Sequence, residues 1–333
     1  MSREAENISF QEWMRGLRAN PVRALKNQAD LPERFFLYRD VLRDNYSDVY
    51  EGIKKNLRKY RPRRMLMQQQ MEDGNWPVVV ATKKLSPEQI QILQFLRQTE
   101  ILHRLHDLTA TLSQERVKLG IIQLLKNLDE ATGAFPGNLP QHAHALLVTA
   151  LYRLDSNPIA KQAFLYVFHN QRPDGGWIDP AYLPKNADPE KASSCIWTTM
   201  LITHAISLSP TMRKRAGAKR AVEFLFSHFL EGNSTTLLQD ASAWDLLGYG
   251  YTGIGSLHGG TLRFLEILTL MEWPLEKRVW KLLDWLKSVQ LADGYWPAVV
   301  KNSQSGDPLV TVSVLRVMKY FTSLMGLERD EDE

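Results

Sequence analysis

A seven-residue pattern, Gln-x-x-Asp-Gly-x-Trp, occurs three times and constrains this chain more than any other feature. It reads Gln70-Met-Glu-Asp73-Gly74-Asn-Trp76, then Gln171-Arg-Pro-Asp174-Gly175-Gly-Trp177, then Gln290-Leu-Ala-Asp293-Gly294-Tyr-Trp296. The copies start at residues 70, 171 and 290, so the gaps are 101 and 119 residues. Each gap is about twice a helix-pair unit of roughly 50 to 60 residues, so a degenerate copy is expected within each. Leu128-Asp-Glu-Ala-Thr-Gly133-Ala-Phe135 fits the first gap and Phe229-Leu-Glu-Gly232 the second. About five units result.

Each unit reads as two helices of different character. The helix before a motif is amphipathic: Val279, Trp280, Leu282, Leu283, Leu286 and Val289 are spaced for one face, with Lys281, Asp284 and Lys287 opposite. Val222, Leu225, Phe226 and Phe229 make a similar stripe. The helix after a motif is almost uncharged, as in residues 142–152, 195–208 and 308–314. A helix polar on one side belongs outside and one apolar all round belongs inside, so the alternation predicts an all-α, double-layered ring or solenoid. Within the motif, Asp-Gly supplies a turn that needs the backbone freedom of glycine. The glutamine is expected to serve free carbonyls at the outer helix end, and the tryptophan to cover it and fill the gap between units.

The triplicate motif resembles the repeats of squalene and oxidosqualene cyclases and of protein prenyltransferase β subunits. The layout is most similar to short stand-alone bacterial proteins bearing such repeats. The resemblance implies an (α/α) toroid of outer and inner helices around a central cavity. It implies a toroid over residues 60–325, with residues 1–59 completing the ring and an acidic, disordered tail at 326–333. Class II cyclases of this kind protonate an alkene from an Asp-x-Asp-Asp segment, which this sequence lacks. Asp240 and Asp245 flank Ala-Ser-Ala-Trp244 and stand as candidate acids at a different spacing. Prenyltransferases of this kind hold zinc with Asp, Cys and His. Cys195 falls near the expected place, but residue 193 is Ser, and Asp307-Pro308-Leu309 stands where the histidine would be. No metal and no cofactor are therefore expected.

Other candidates come from inner helices and from one glycine-rich stretch. His142 and His144 open an inner helix but are two apart, whereas helical ligand pairs prefer three or four. Residues 240–260 gather Trp244, Tyr249, Tyr251 and His258 with Asp240 and Asp245 among glycines that forbid a plain helix. Loops of this kind carry ligand-binding groups. Trp197 and Cys195 lie on the next-to-last uncharged helix, and Arg263 with Glu266 forms a spacing-three pair that needs partners if it faces inward.

Composition narrows the classes. The chain has 333 residues, 44% of them hydrophobic, and one cysteine, which excludes an intrachain disulfide and fits a reducing cytoplasm. The first ten residues hold no apolar segment, so no signal peptide is expected there. The net charge of +4 is concentrated in two runs, Lys54 to Arg64 and Arg213 to Arg220. These read first as solvated outer surface and otherwise as a face for an anionic membrane or a phosphate-bearing ligand; nucleic acid is not an expected partner. The first expectation for function is binding or conversion of an apolar, isoprenoid-type ligand in the ring. The alternative is a non-catalytic scaffold. The third is a carbohydrate-active barrel with paired carboxylates drawn from Asp188, Glu190, Asp240, Asp245 and Asp307.

Overall fold

The computed structural model describes residues 14–78, 85–179, 183, 185–229, 244–248, 260–301 and 303–331, with side chains through residue 324. Every regular element among them is a helix; the β interactions there are isolated bridges such as Asp129 with Ala134. The chain divides into two units. One gathers the described residues of Met1–Leu57, Ser242–Tyr249 and Gly259–Glu333, and the other those of Arg58–Ala241.

The second unit has two layers. Its inner helices are α5 (Pro87–Asp107), α7 (Leu139–Leu151) and α9 (Ile196–Leu208); α7 packs against both of the others. Its outer helices are α4 (Arg61–Gln68), α6 (Glu115–Leu125), α8 (Pro158–His169) and α10 (Ala216–Ser227), each resting on its inner neighbour. Starts are set by local chemistry. Ser86 and Gln89 form a reciprocal cap on α5 with Pro87 in the first turn, and Asn138 with Gln141 does the same for α7 with Pro140. Asn157 caps α8 ahead of Pro158. Helix α9 is buried from Ile196 through Ser207, and it carries no Asp, Glu, Lys or Arg. Thr203 and Ser207 return their hydroxyls to Thr199 O and His204 O of the same helix.

The first unit holds α1 (Val22–Gln28), α2 (Leu31–Phe36, running on as a π turn over Leu37–Val41), α11 (Gly260–Leu270), α12 (Lys277–Ser288) and α13 (Pro308–Glu331). Helix α3 (Asp48–Lys59) falls largely in this unit and ends in the other. Helix α13 packs on α2 and α11. Its backbone is helical as far as Glu331, so the last helix covers most of the stretch read from sequence as a tail. On α12 the buried stripe is Val279, Leu282, Leu283 and Leu286. Trp280, read as part of that stripe, is 40% exposed, because at 100° per residue it turns off the face that Val279 and Leu283 share.

Candidate functional site

The three motif copies repeat one geometry. Each glutamine donates through Nε2 to two carbonyls: Gln70 to Gly74 O (2.9 Å) and Arg116 O (2.8 Å), Gln171 to Gly175 O and Gly217 O (both 2.7 Å), Gln290 to Gly294 O (2.8 Å) and Ala19 O (3.0 Å). The glutamine thus ties its own turn to another segment, the first turn of α6 or α10 in the second unit and the stretch just before α1 in the first, rather than to the end of its own helix. Each tryptophan is fully buried and donates Nε1 to the outer helix ten residues upstream: Trp76 to Leu66 O (2.7 Å), Trp177 to Val167 O (2.6 Å), Trp296 to Leu286 O (2.7 Å). Asp73, Asp174 and Asp293 each accept the amide two residues on, closing the turn. Gly74, Gly175 and Gly294 sit at φ +89°, +92° and +89°. A Cβ on Gly175 would also lie 2.5 Å from Arg220 O, and one on Gly294 2.7 Å from Ala19 O. Glycine is demanded twice there, by backbone sign and by the close approach of the neighbouring segment.

The degenerate stretch before α7 works alike. Gly133 has φ +77°, Phe135 is buried in the tryptophan's place, and His142 supplies the polar link. Its Nδ1 accepts from Phe135 N (2.9 Å), which leaves the proton on Nε2 to be donated to Ala163 O (3.0 Å). Burial depresses the His142 pKa to about 4 despite the Ala163 bond, so the ring is neutral at neutral pH. Of the other degenerate copy, Leu230 to Gly232 lie outside the described residues.

Cys195 and Asp307 occupy equivalent places. Cys195 N donates to Trp177 O (2.7 Å) and Asp307 N to Trp296 O (2.8 Å), and each directly precedes a helix, α9 and α13. Asp307 Oδ1 accepts from Val310 N, and Cys195 Sγ accepts from Thr198 N. Four residues on, Thr199 and Thr311 accept the amides of Trp177 and Trp296 through their hydroxyls. Burial pushes the Cys195 thiol up, so it stays protonated and is no thiolate at neutral pH.

A cluster of polar side chains lies on α5 and α7 and just after them in the second unit. His144 on α7 is partly exposed. Burial, with His103 adding, lowers its pKa to about 4. His103 on α5 lies 3.8 Å from Asp107 Oδ2, and His106 Nδ1 lies 3.6 Å from Asp107 Oδ1. Tyr152 packs edge-on against His106 and donates its hydroxyl to Leu102 O (2.9 Å). Burial raises the phenol, with the Asp107 charge adding, so it remains a donor. His103, His106 and Asp107 were not singled out from sequence, although the i, i+4 spacing of His103 and Asp107 was there to be read.

The first unit carries a chain of charges. Arg263 and Glu266, both buried on α11, meet at 2.5 Å. Glu266 also meets Arg316 of α13 at 2.5 Å, Arg316 reaches Asp40 at 3.6 Å, and Asp40 is held by Arg39 at 2.5 Å. The expected pair is therefore one link of a longer network, as buried charges require. Trp244 is buried against Phe264, and its carbonyl accepts from Thr261 Oγ1 (3.2 Å). Asp245 follows it, half-buried, its carbonyl accepting from Val300 N (2.9 Å). Trp197 is buried on α9. Asp188 and Glu190 are exposed. Asp240, Tyr249, Tyr251 and His258 lie outside the described residues. Among the described residues no group of His, Cys, Asp and Glu is arranged to hold a metal ion.

No protein-family model matches the chain, and no curated protein matches it in sequence. Solved structures do. A glycosyl hydrolase family 88 protein from Bacteroides vulgatus superposes with a TM-score of 0.50 at 11% identity, over 91% of this chain and 96% of that one. A polysaccharide lyase gives 0.48 at 11%, over 89% and 90%, and the type II terpene cyclase MstE from Scytonema 0.29 at 14%, over 78% and 96%. At such identities a likeness concerns the fold alone. The hydrolase likeness, with the two helical layers, makes this an all-α protein of the α/α toroid class.

Proposed function

We propose that the chain binds an apolar, isoprenoid-type small molecule against the inner helices α7 and α9. The observation that carries this reading is the lack of charge on that wall. Neither helix contains Asp, Glu, Lys or Arg, both α7 histidines are neutral at neutral pH, and the hydroxyls of Thr149, Thr203 and Ser207 are spent on their own helices. Such a wall gains from contact with hydrocarbon and offers nothing to a charged ligand. His144 then supplies the polar contact that orients one end of the ligand. In this reading residues 1–59 complete the toroid, since Ala19 takes the place beside Gln290 that Arg116 takes beside Gln70. Native mass spectrometry of protein from its own host, with melting curves in farnesol and in farnesyl diphosphate, tests the proposal. Retained lipid or a raised melting temperature supports it. If no lipid is carried and neither compound moves the melt, the reading fails and the scaffold role stands. Asp240→Asn and Asp245→Asn separate binding from conversion by whether product forms while the ligand is still held.

One observation favours the carbohydrate reading instead. Glu266 and Asp40 converge on the Arg316 guanidinium, bringing two carboxylates of the first unit together. Both are neutralised by arginine, which suits anchoring a sugar acid better than hydrolysing a glycosidic bond. Hydrolysis of aryl glycosides, lost in Glu266→Gln, would move the assignment to that class.

A further inference from the structure

The basic run at the junction of α3 and α4 contains an arginine that solvent does not explain. Arg63 is 4% exposed, and no hydrogen bond or ion pair joins it to any described residue; its Nη1 is fully buried without a partner. Burial, with Arg58 adding, holds its guanidinium below the ordinary value. A surface arginine needs no counter-ion, whereas an enclosed one without an anion is costly.

Arg63 lines a pocket of about 290 Å³, together with Arg58, Arg64, Arg116, Gln114 and Glu115. The opposite wall is the first turn of α6, eleven residues long, whose N-terminal amides receive no side-chain cap from Gln114. Uncapped amides and the positive end of the helix dipole favour an anion there. Arg116 is fixed in place because its Nη1 donates to Met67 O (2.9 Å) and Gln70 O (3.3 Å). Arg58 and Arg64 are exposed and pair with no described carboxylate. Glu115 is the single carboxylate in the lining, set against four guanidinium groups. Forked guanidinium donors converging with backbone amides suit the oxygens of a phosphoryl group. The volume is at the small end of ligand pockets, which fits a phosphate or diphosphate group rather than a polyanion.

We infer that this pocket binds a phosphoryl group, with the buried Arg63 as its anchor and the α6 amides as its second wall. The proposal does not depend on the apolar-ligand reading, because the pocket is formed by outer helices α4 and α6. Titration calorimetry of the full chain with inorganic pyrophosphate at low salt tests it, with vesicles of phosphatidylcholine containing phosphatidic acid as a second arm. The expected result is binding that weakens as salt rises and falls about tenfold or more in Arg63→Met. That variant keeps or raises the melting temperature, because it removes an unpaired buried charge and leaves an apolar chain. Arg64→Gln, exposed and outside any packing, should weaken binding several-fold with no change in the melt. Vesicle binding without pyrophosphate binding, lost in both variants, supports the same site with a lipid headgroup as its source. The inference is overturned if neither probe binds, or if pyrophosphate binds equally to all three proteins.

Discussion

Lowering the pH from about 7.5 to about 5 presses a proton on His142, whose two nitrogens are already engaged. Nδ1 accepts from Phe135 N, so protonation breaks that bond and leaves the Phe135 amide and the new Nδ1–H without acceptors, while Nε2–H keeps Ala163 O. The folded pKa is about 4 against an ordinary 6.5. Below 6.5 the unfolded chain binds the proton and the folded one does not, so stability held at neutral pH drains as pH falls toward 4. From those two values the loss is about 2 kcal/mol at about pH 5 and about 3.4 kcal/mol once the folded ring also titrates. Glutamine carries an acceptor and a donor at matching reach and does not titrate. His142→Gln should therefore resemble the wild type at neutral pH and lose about 2 kcal/mol less on going to about pH 5. Urea unfolding of both proteins at the two pH values measures this. Equal losses in the two proteins would refute the assignment of His142 as a neutral, two-sided staple.

Gly175→Ala must place a Cβ 2.5 Å from Arg220 O at φ +92° and should cost about 2 to 4 kcal/mol in thermal unfolding. Gly52→Ala, in α3 with nothing near its Cβ, should stabilise by about 0.5 to 1 kcal/mol, and a destabilisation there would show that the helix is not the relevant state. Glu266→Gln leaves Arg263 and Arg316 facing each other and should cost about 3 to 5 kcal/mol, most of it recovered by also making Arg263→Met. An additive double variant would contradict the network.

What the sequence revealed best was what the backbone demands. Asp-Gly at fixed spacing and a tryptophan two residues on are needed wherever two outer segments meet over a turn, and that need repeats. What it concealed was chemistry carried across the chain. The Glu266 to Arg316 link spans fifty residues and the Arg316 to Asp40 link closes from near the other end, so no local pattern announces either. Cys195 and Asp307 looked like separate ligand candidates because their chemistry differs, yet the cap position they share asks for little more than an acceptor. His142 looked like half of a failed metal pair, and its burial and two backbone bonds make it a staple instead. Arg63 stood in a run of seven basic residues, and nothing in such a run tells which one is buried.

The third motif sharpens what such staples do for a toroid. Gln70 and Gln171 each reach a carbonyl forty-six residues on, at the start of the next outer helix, whereas Gln290 reaches back 271 residues to Ala19. Arg18 adds its own amide to Gln290 Oε1 and its guanidinium to Gln290 O and Ser288 O, much as Arg116 serves Met67 O and Gln70 O. The segment before α1 is thus treated as the next outer element in sequence, although it comes first in the chain. Loop-closure entropy makes this the most expensive of the staples to form, since the chain between its ends is longest. Gln290→Ala should then free the amides of residues 18 to 29 to exchange well before those at the start of α6 in Gln70→Ala, because far more chain separates the two ends of the first staple. Equal exchange in the two variants would mean that the N-terminal segment is held by the core formed by Leu25, Leu37 and Val312 rather than by the staple.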